Sequence, residues 1–343
     1  MPAELRISHP KLVGVIRRTL DDVGVPPAIS EIEAEIAAEA DLLGVPSHGI
    51  KMLPGLLQAI QQGRVNPKPK LKIFERRVAA CVLDGDHGPG RYVSTEAMRN
   101  AVERAKIAGV GACVATRLTH WGRAHAYVYR AAREGAIGIC TTNAIPNVVA
   151  WGSSKPLLAN NPLAIGVPRG AGEEPIILDM AMSQAAVGKI RTFLREGRTA
   201  PPNWGQDASG QPTGDPAVIL SGGRVLPFGD HKGVGLAVMM ELLTGALADG
   251  LLSFEIARSN AAGQDPDSSK LFLALDVTAF VEPERFAQRV RDFINWLHHT
   301  EPGLEIMLPG ERGWRARQQY LAEGIPIHPE IVRELKQAGI SLE

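Results

Sequence analysis

The chain has 343 residues, 45% of them hydrophobic and 22% charged, enough to bury a large core in about two globular domains. Its 37 basic side chains balance 37 acidic ones, so no global field favours nucleic acid or an anionic membrane surface as a partner. The start MPAELRISHP lacks a basic-then-apolar leader and no apolar run approaches the roughly 18 residues of a membrane span, so a cytoplasmic location is expected.

Residues 10 to 25 and 27 to 43 predict two helices, the second with Ile29, Ile32, Ile36, Ala40 and Leu43 on one face and Gly44 and Pro46 at its end. Ser47-His48-Gly49 follows at once, which puts His48 at a helix-helix junction before a third helix from about Met52 to Gln62. Strands are expected over 71–75 and 78–83, then a loop over 84–90 and a helix over 94–108 with Ser94 as N-cap. The stretch from Arg117 to Pro168 concentrates ionisable, aromatic and backbone-bending residues. A strand over Gly111 to Ala115 leads to a corner carrying His120, and a helix over 124–133 stops at Gly135. After a strand over 136–142 comes a long segment punctuated by Asn143, Pro146, Gly152, Asn161 and Pro162, a length that usually marks a functional loop. Its Val148, Val149, Trp151, Leu157 and Leu158 are expected to be buried.

A buried strand over 175–178 should run into Asp179-Met180-Ala181-Met182-Ser183 and a helix to about Glu196. Asp179 is then either an N-cap or a ribose-hydroxyl acceptor. Residues 197–214 read as a surface loop. Leu226 to Gly233 lead into an apolar helix over 234–248, whose start sets Lys232 beside unpaired backbone N–H groups, a favourable place for an anion. Residues 258–269 are expected to be mobile, 271–277 a strand, 283–297 a helix, 308–311 a turn, and 312–322 and 329–337 helices. Taken alone, this alternation suggests a parallel α/β sheet.

Cys81, Cys113 and Cys140 stand singly in apolar runs, with no C-x-x-C pair, and are expected as buried free thiols. Both G-x-G candidates fail the dinucleotide fingerprint: Gly109-Val110-Gly111 reaches Val114 and Gly233-Val234-Gly235 reaches Val238 at the third glycine position. H-E-x-x-H is absent too. A metal-dependent hydrolase using His48, His87 and His120 is the alternative from another class, and their spacing lends it no support. His48 and His120, at element junctions among small residues, suit proton transfer near neutral pH or a plain capping role.

Together these residues resemble the malate/L-lactate dehydrogenase family that is unrelated to the Rossmann-type lactate and malate dehydrogenases. The resemblance is carried by Asp41 to Pro54 (D-x-x-G-V-x-S-H-G-I-x-x-L-P), the corner His120-Trp121-Gly122-Arg123, and the run Gly138 to Pro162. It continues through Leu178 to Ser183, Pro227 to Gly233 with its H-K-G, and Leu308 to Glu311. It implies an α+β fold, not a Rossmann one, with a mostly antiparallel sheet flanked by helices. Residues 1–70 would pack with 300–343 as a helical part, and 71–299 would form the NAD(P)-binding part.

The implied activity is hydride transfer between NAD or NADP and C2 of a small 2-hydroxy or 2-oxo acid, with reduction of a cyclic imine carboxylate as the close alternative. The implied catalytic pair is His48 and His120, with His48 ranked first as proton donor. The implied cofactor contacts are Asp179, Met180, Ala181, Met182, Ser183, His231, Lys232, Pro309, Gly310 and Glu311, with no metal. Ser47, Met52, Arg123 and Asn143 are the substrate-binding candidates. Met52 departs from many members, which carry Arg there to clamp a substrate carboxylate, and Arg123 is the expected replacement. A homodimer with the active site near the subunit boundary is also implied, the apolar helices around residues 27–60 supplying part of the contact.

Overall fold

The computed structural model describes residues 5–153, 155–259, 267–300, 303–304 and 306–342. The chain forms two units: Met1–Cys140, Ala164–Asp179 and Phe272–Glu343 make the first, and Thr141–Leu163 with Met180–Leu271 the second.

In the first unit, the helices His9–Asp22, Pro27–Leu42 and Leu53–Gln61 each begin with a proline in the first turn, where its missing N–H costs nothing. Leu12, Val15, Ile16 and Leu20 recur at helical spacing and enter a core with Ile29, Leu42, Leu53, Leu57 and Ile60. Ile325, Ile327, Ile331 and Leu335 from the other end of the chain close the same core. Each fully buried side chain of this kind contributes about 1.5–3 kcal/mol. A pair of short strands that the sequence pattern did not announce, Leu5–Ile7 and Ile325–Ile327, lies antiparallel and ties the two ends together.

A second core sits under a seven-stranded sheet, ordered Lys72–Arg77, Ala80–Gly88, Val110–Leu118, Ser268–Asp276, Ala136–Thr142, Leu163–Val167, Ile176–Met180. The first two strands pair antiparallel, while Ala80–Gly88 and Val110–Leu118 run parallel. A parallel pair needs a crossover, supplied by the helix Gly90–Ala108. The fold is therefore α+β, as the resemblance implied; the wholly parallel sheet suggested by element alternation is not what forms.

Several boundaries differ from the sequence pattern for tertiary reasons. The crossover helix starts at Gly90 instead of after Ser94, because Pro89 provides the cap and Thr119 Oγ1 accepts the Gly90 N–H at 2.9 Å. The strand before it continues into the expected 84–90 loop as far as Gly88, bending where Asp86 and His87 adopt positive φ. Asp179 lies within the strand Ile176–Met180 and caps no helix; the helix that follows spans only Val187–Arg195.

In the second unit, the long segment after residue 142 contains the strands Val148–Val149 and Pro156–Leu158. Val148 and Val149 are buried, but Trp151 and Leu157 are exposed, at 62% and 55%. The helix placed at 234–248 spans His231–Glu241 and passes into a π turn over Leu242–Ala246. Of the segment expected to be mobile, Arg258 lies in the helix Ser253–Ser259 and Ser268 begins a strand, while 260–266 fall outside the described residues. No helix among the described residues is long and apolar enough to cross a membrane. The three cysteines are buried and free.

The turn carrying His48 is built around Asp41, a buried carboxylate near the end of the helix Pro27–Leu42. It accepts the Ile50 N–H at 2.7 Å, and a Cβ at Gly49 would fall 2.1 Å from it, so only glycine lets the turn close on the carboxyl. Burial pushes the Asp41 pKa up to about 7 against the opposing pull of Ile50 N–H and Arg91. A carboxyl whose pKa is raised in the folded state holds its proton longer there than when unfolded, so this group makes stability fall as pH rises from about 4 to 7. Asp41→Asn is expected to flatten that slope, measured by urea unfolding at pH 5 and pH 8; an unchanged slope would show that Asp41 ionises as freely folded as unfolded.

Candidate active site

Two backbone corners of the first unit bring His48 and His120 together, their ring centroids 5.9 Å apart and their planes tilted by 31°. His48 sits in the 3-10 turn Pro46–His48, where Ser47 Oγ lies 2.9 Å from its Nδ1. His120 follows the strand Val110–Leu118. Its Nδ1 accepts the Gly122 N–H at 3.1 Å, so a neutral ring carries its hydrogen on Nε2. Gly122 has φ +74°. The corner is fixed from below by Trp121, which is buried, stacks on Tyr127 at 5.2 Å, and offers its carbonyl to the Tyr127 hydroxyl.

Arg123 has a partner. Its Nε and Nη2 both lie 3.1 Å from Asp179 Oδ2, and the same oxygen accepts the His125 N–H at 3.3 Å. The strand Ile176–Met180 thus delivers Asp179 to the His120 corner, and the two residues expected as substrate clamp and ribose acceptor neutralise each other. Burial lowers the His48 pKa to about 4, with Arg123 and Arg91 adding to the shift and Asp179 opposing it. His48 is therefore neutral at pH 7.

Pro309, Gly310 and Glu311 lie against the same strand. The Pro309 carbonyl accepts the Ile177 N–H at 3.1 Å, and Gly310, at φ +95°, leaves only 3.3 Å between an added Cβ and the Ile177 backbone. Glu311 folds back to accept the Leu308 N–H at 2.9 Å.

Within the second unit, Met182 and Ser183 run beside Pro227 and Phe228, with a bridge between Ser183 and Pro227 and the Phe228 N–H on the Met182 carbonyl at 3.0 Å. A Cβ on Gly233 would meet the Phe228 carbonyl at 2.3 Å and that of Met182 at 3.0 Å. The segment from Met180 through Ala181 to Ser183 is thereby brought against the start of the helix that opens with His231 and Lys232. Both are exposed, and the His231 ring stands edge-on to Trp151 at 6.1 Å. The Lys232 backbone N–H donates to the Gly229 carbonyl at 3.1 Å, while its side chain makes no hydrogen bond or ion pair among the described residues, which leaves an available cation at a helix N-terminus: the residues fit an anionic group such as a dinucleotide pyrophosphate.

Asn143 serves as a strut. It is 1% exposed, donates to the Leu251 carbonyl at 2.8 Å and to Glu241 at 3.4 Å, and accepts the Ser269 N–H at 2.8 Å. Glu241 also receives Asn161 Nδ2 and the Ser253 N–H and hydroxyl, a convergence that sequence reasoning missed.

Also missed was Arg91. It follows the G-P-G of the 88–90 corner and is 4% exposed. It donates from Nη1 to Glu33 Oε2 and from Nη2 to the His48 carbonyl, both at 3.2 Å. The only hint in the sequence was an arginine directly after a glycine-rich corner. Its partner Glu33 lies 58 residues away.

The paired-histidine corner of the first unit, in an α+β fold whose sequence carries no dinucleotide glycine fingerprint, is that of a dehydrogenase class distinct from the Rossmann one. Residues 7–336 match the family described as malate/L-lactate dehydrogenase, and the chain belongs to that family. It is 32% identical to a malate dehydrogenase of Pyrococcus horikoshii, over 97% of this chain and 94% of the relative. The solved structure of that enzyme superposes with a TM-score of 0.89, covering 98% and 97% of the two chains at 30% identity. The L-sulfolactate dehydrogenase of Methanocaldococcus jannaschii is 34% identical over 94% of each chain. A sulfolactate dehydrogenase structure from that organism gives a TM-score of 0.90, covering 98% of both chains at 32% identity. A Delta(1)-pyrroline-2-carboxylate/Delta(1)-piperideine-2-carboxylate reductase of Pseudomonas syringae is 34% identical over 96% of this chain and 95% of its own.

Because Arg123 depresses the His48 pKa and Asp179 raises it, Arg123→Gln should shift the His48 titration upward by removing the positive charge and leaving the Asp179 carboxylate uncompensated. Imidazole NMR titration reads this directly; a His48 pKa that stays put or falls would show that the pair does not govern the histidine.

Proposed function

We propose that this protein reversibly transfers hydride between a nicotinamide dinucleotide and C2 of a small 2-hydroxy or 2-oxo acid. The observation that supports this reading most directly is the His48–His120 pair, two imidazoles 5.9 Å apart at neighbouring corners. The dinucleotide, when bound, supplies or accepts the hydride; the residues of this chain handle the proton and the charges. Lys232 and the N–H groups at its helix start would hold the pyrophosphate. Met180 to Ser183, which run beside that helix start, would contact the remainder.

His120, its Nδ1 committed to Gly122, presents Nε2–H to the substrate oxygen and orients it. His48 is the proton donor in reduction and the acceptor in oxidation, with Ser47 on its far nitrogen. An arriving substrate carboxylate adds negative charge beside His48 and draws its depressed pKa upward, which favours the protonated ring as the acid binds. A cyclic imine carboxylate presents the same carboxylate next to a C=N bond, and the P. syringae relative is named for such substrates.

Absorbance of the reduced nicotinamide should fall when a panel of 2-oxo acids and cyclic imine carboxylates is added with either dinucleotide; a flat trace across the panel would overturn the reading. His48→Ala should lower turnover by about two to four orders of magnitude with dinucleotide affinity intact. Lys232→Ala should weaken dinucleotide binding by roughly 10- to 100-fold, the loss of one charged contact.

The same reading carries a homodimer. The apolar residues between 27 and 60 are largely spent inside the protein's own cores, so they are not the contact first expected. Leu236, Met239, Leu243 and Leu247 remain exposed in the second unit for a second copy. Sedimentation should show a dimer at micromolar concentration, and an active monomer there would dispose of it.

A further inference from the structure

A 2-oxo acid brought into a water-poor site needs a cation, because an unpaired buried charge costs several kcal/mol. Near the two histidines, Arg123 gives both Nε and Nη2 to Asp179. Arg91 is placed differently. Glu33, itself 1% exposed, holds its Nη1 at 3.2 Å and also accepts the Tyr92 N–H at 2.8 Å. The guanidinium is thus anchored from one end. At the other end, Nη2 reaches the His48 carbonyl at 3.2 Å and Met52 Sδ at 3.8 Å, while the buried Nε has no hydrogen-bond partner. A thioether is a weak acceptor, so the Nε–Nη2 edge, the edge that matches a carboxylate with two parallel bonds, is largely unspent. That edge faces the His120 corner: a Cβ on Gly122 would lie 2.9 Å from Arg91 Nε. Glycine at 122 is what allows the guanidinium to approach.

We propose that Arg91 supplies the cation that binds the substrate carboxylate, through its Nε–Nη2 edge, once the flexible Met52 side chain swings aside. Glu33 is its positioning residue, keeping the guanidinium in register with both histidine corners. Met52 then sets specificity by the room it yields. This assignment rests on the hydride-transfer reading above and names the group that selects acids over neutral carbonyl compounds.

The test compares kcat/KM for a 2-oxo acid with that for its isosteric 2-oxo amide. The native protein should favour the acid, and Arg91→Gln should lose roughly 10- to 100-fold of that preference, mostly through KM, with dinucleotide affinity unchanged. Glu33→Gln combined with Arg91→Gln leaves no orphaned buried charge and serves if the single variant does not fold. Met52→Arg placed in the Arg91→Gln background should restore preference for the acid. Equal losses on acid and amide would overturn the assignment and leave Arg91 as a structural strut. A native protein that reduces neither compound nor any other in the panel would overturn the hydride-transfer reading itself.

Discussion

The buried Glu33–Arg91 ion pair, with the neighbouring Asp41 carboxyl, is the constraint on which the His48–His120 corner depends. Three segments meet there: the helix Pro27–Leu42 supplies Glu33 and Asp41, the turns just after it, Pro46–His48 and Ile50–Met52, carry His48, and the crossover helix, remote in sequence, begins with Gly90 and Arg91. A buried ion pair earns little net stability, because desolvating both charges offsets most of their attraction. Removing one partner is far costlier. The pair therefore acts by making alternative arrangements expensive, so that the His48 carbonyl, and with it the ring, has one place to be. Gly49 and Gly90 serve the same end. A Cβ on Gly49 would strike the Asp41 carboxyl at 2.1 Å, and one on Gly90 would strike the His120 carbonyl at 2.4 Å.

Electrostatics around the histidines follow from this packing. Burial disfavours the charged imidazole, two guanidiniums disfavour it further, and only Asp179 pulls the other way. Arg123 and Asp179 are best understood as one neutral unit whose two halves act on His48 with opposite sign. A histidine so placed is held neutral, and any negative charge brought beside it shifts it toward protonation.

The absence of a glycine fingerprint has a structural counterpart in the two G-x-G sequences that are present. Gly109, at φ +80°, ends the crossover helix, and Gly111 lets strand and helix approach so closely that an added Cβ would lie 1.9 Å from the Ala101 carbonyl. Gly233 packs the helix bearing Lys232 onto Met182 and Phe228 in the same manner. These glycines serve helix packing. Lys232, exposed at the start of that helix, is the residue we propose for an anion there.

Local pattern alone determined most helices to within a few residues, because a 3.6-residue apolar period with proline before and glycine after is written in adjacent positions. Motif order was enough to name the family, and it singled out both histidines, Asp179, Lys232 and the 309–311 turn as candidates. Only the tertiary structure decided what those residues do to one another. Arg123 meets Asp179 across 56 residues and Arg91 meets Glu33 across 58, and Asn143 is consumed by Leu251 and Ser269 from distant segments. The strand pair at the chain ends and the early start of the crossover helix have the same origin. Whether a polar side chain is a strut, a neutralised partner or an available donor depends on what comes within 3 or 4 Å of it, roughly hydrogen-bond and ion-pair reach. That distance is set by the packing of elements far apart in sequence, so no local pattern records it.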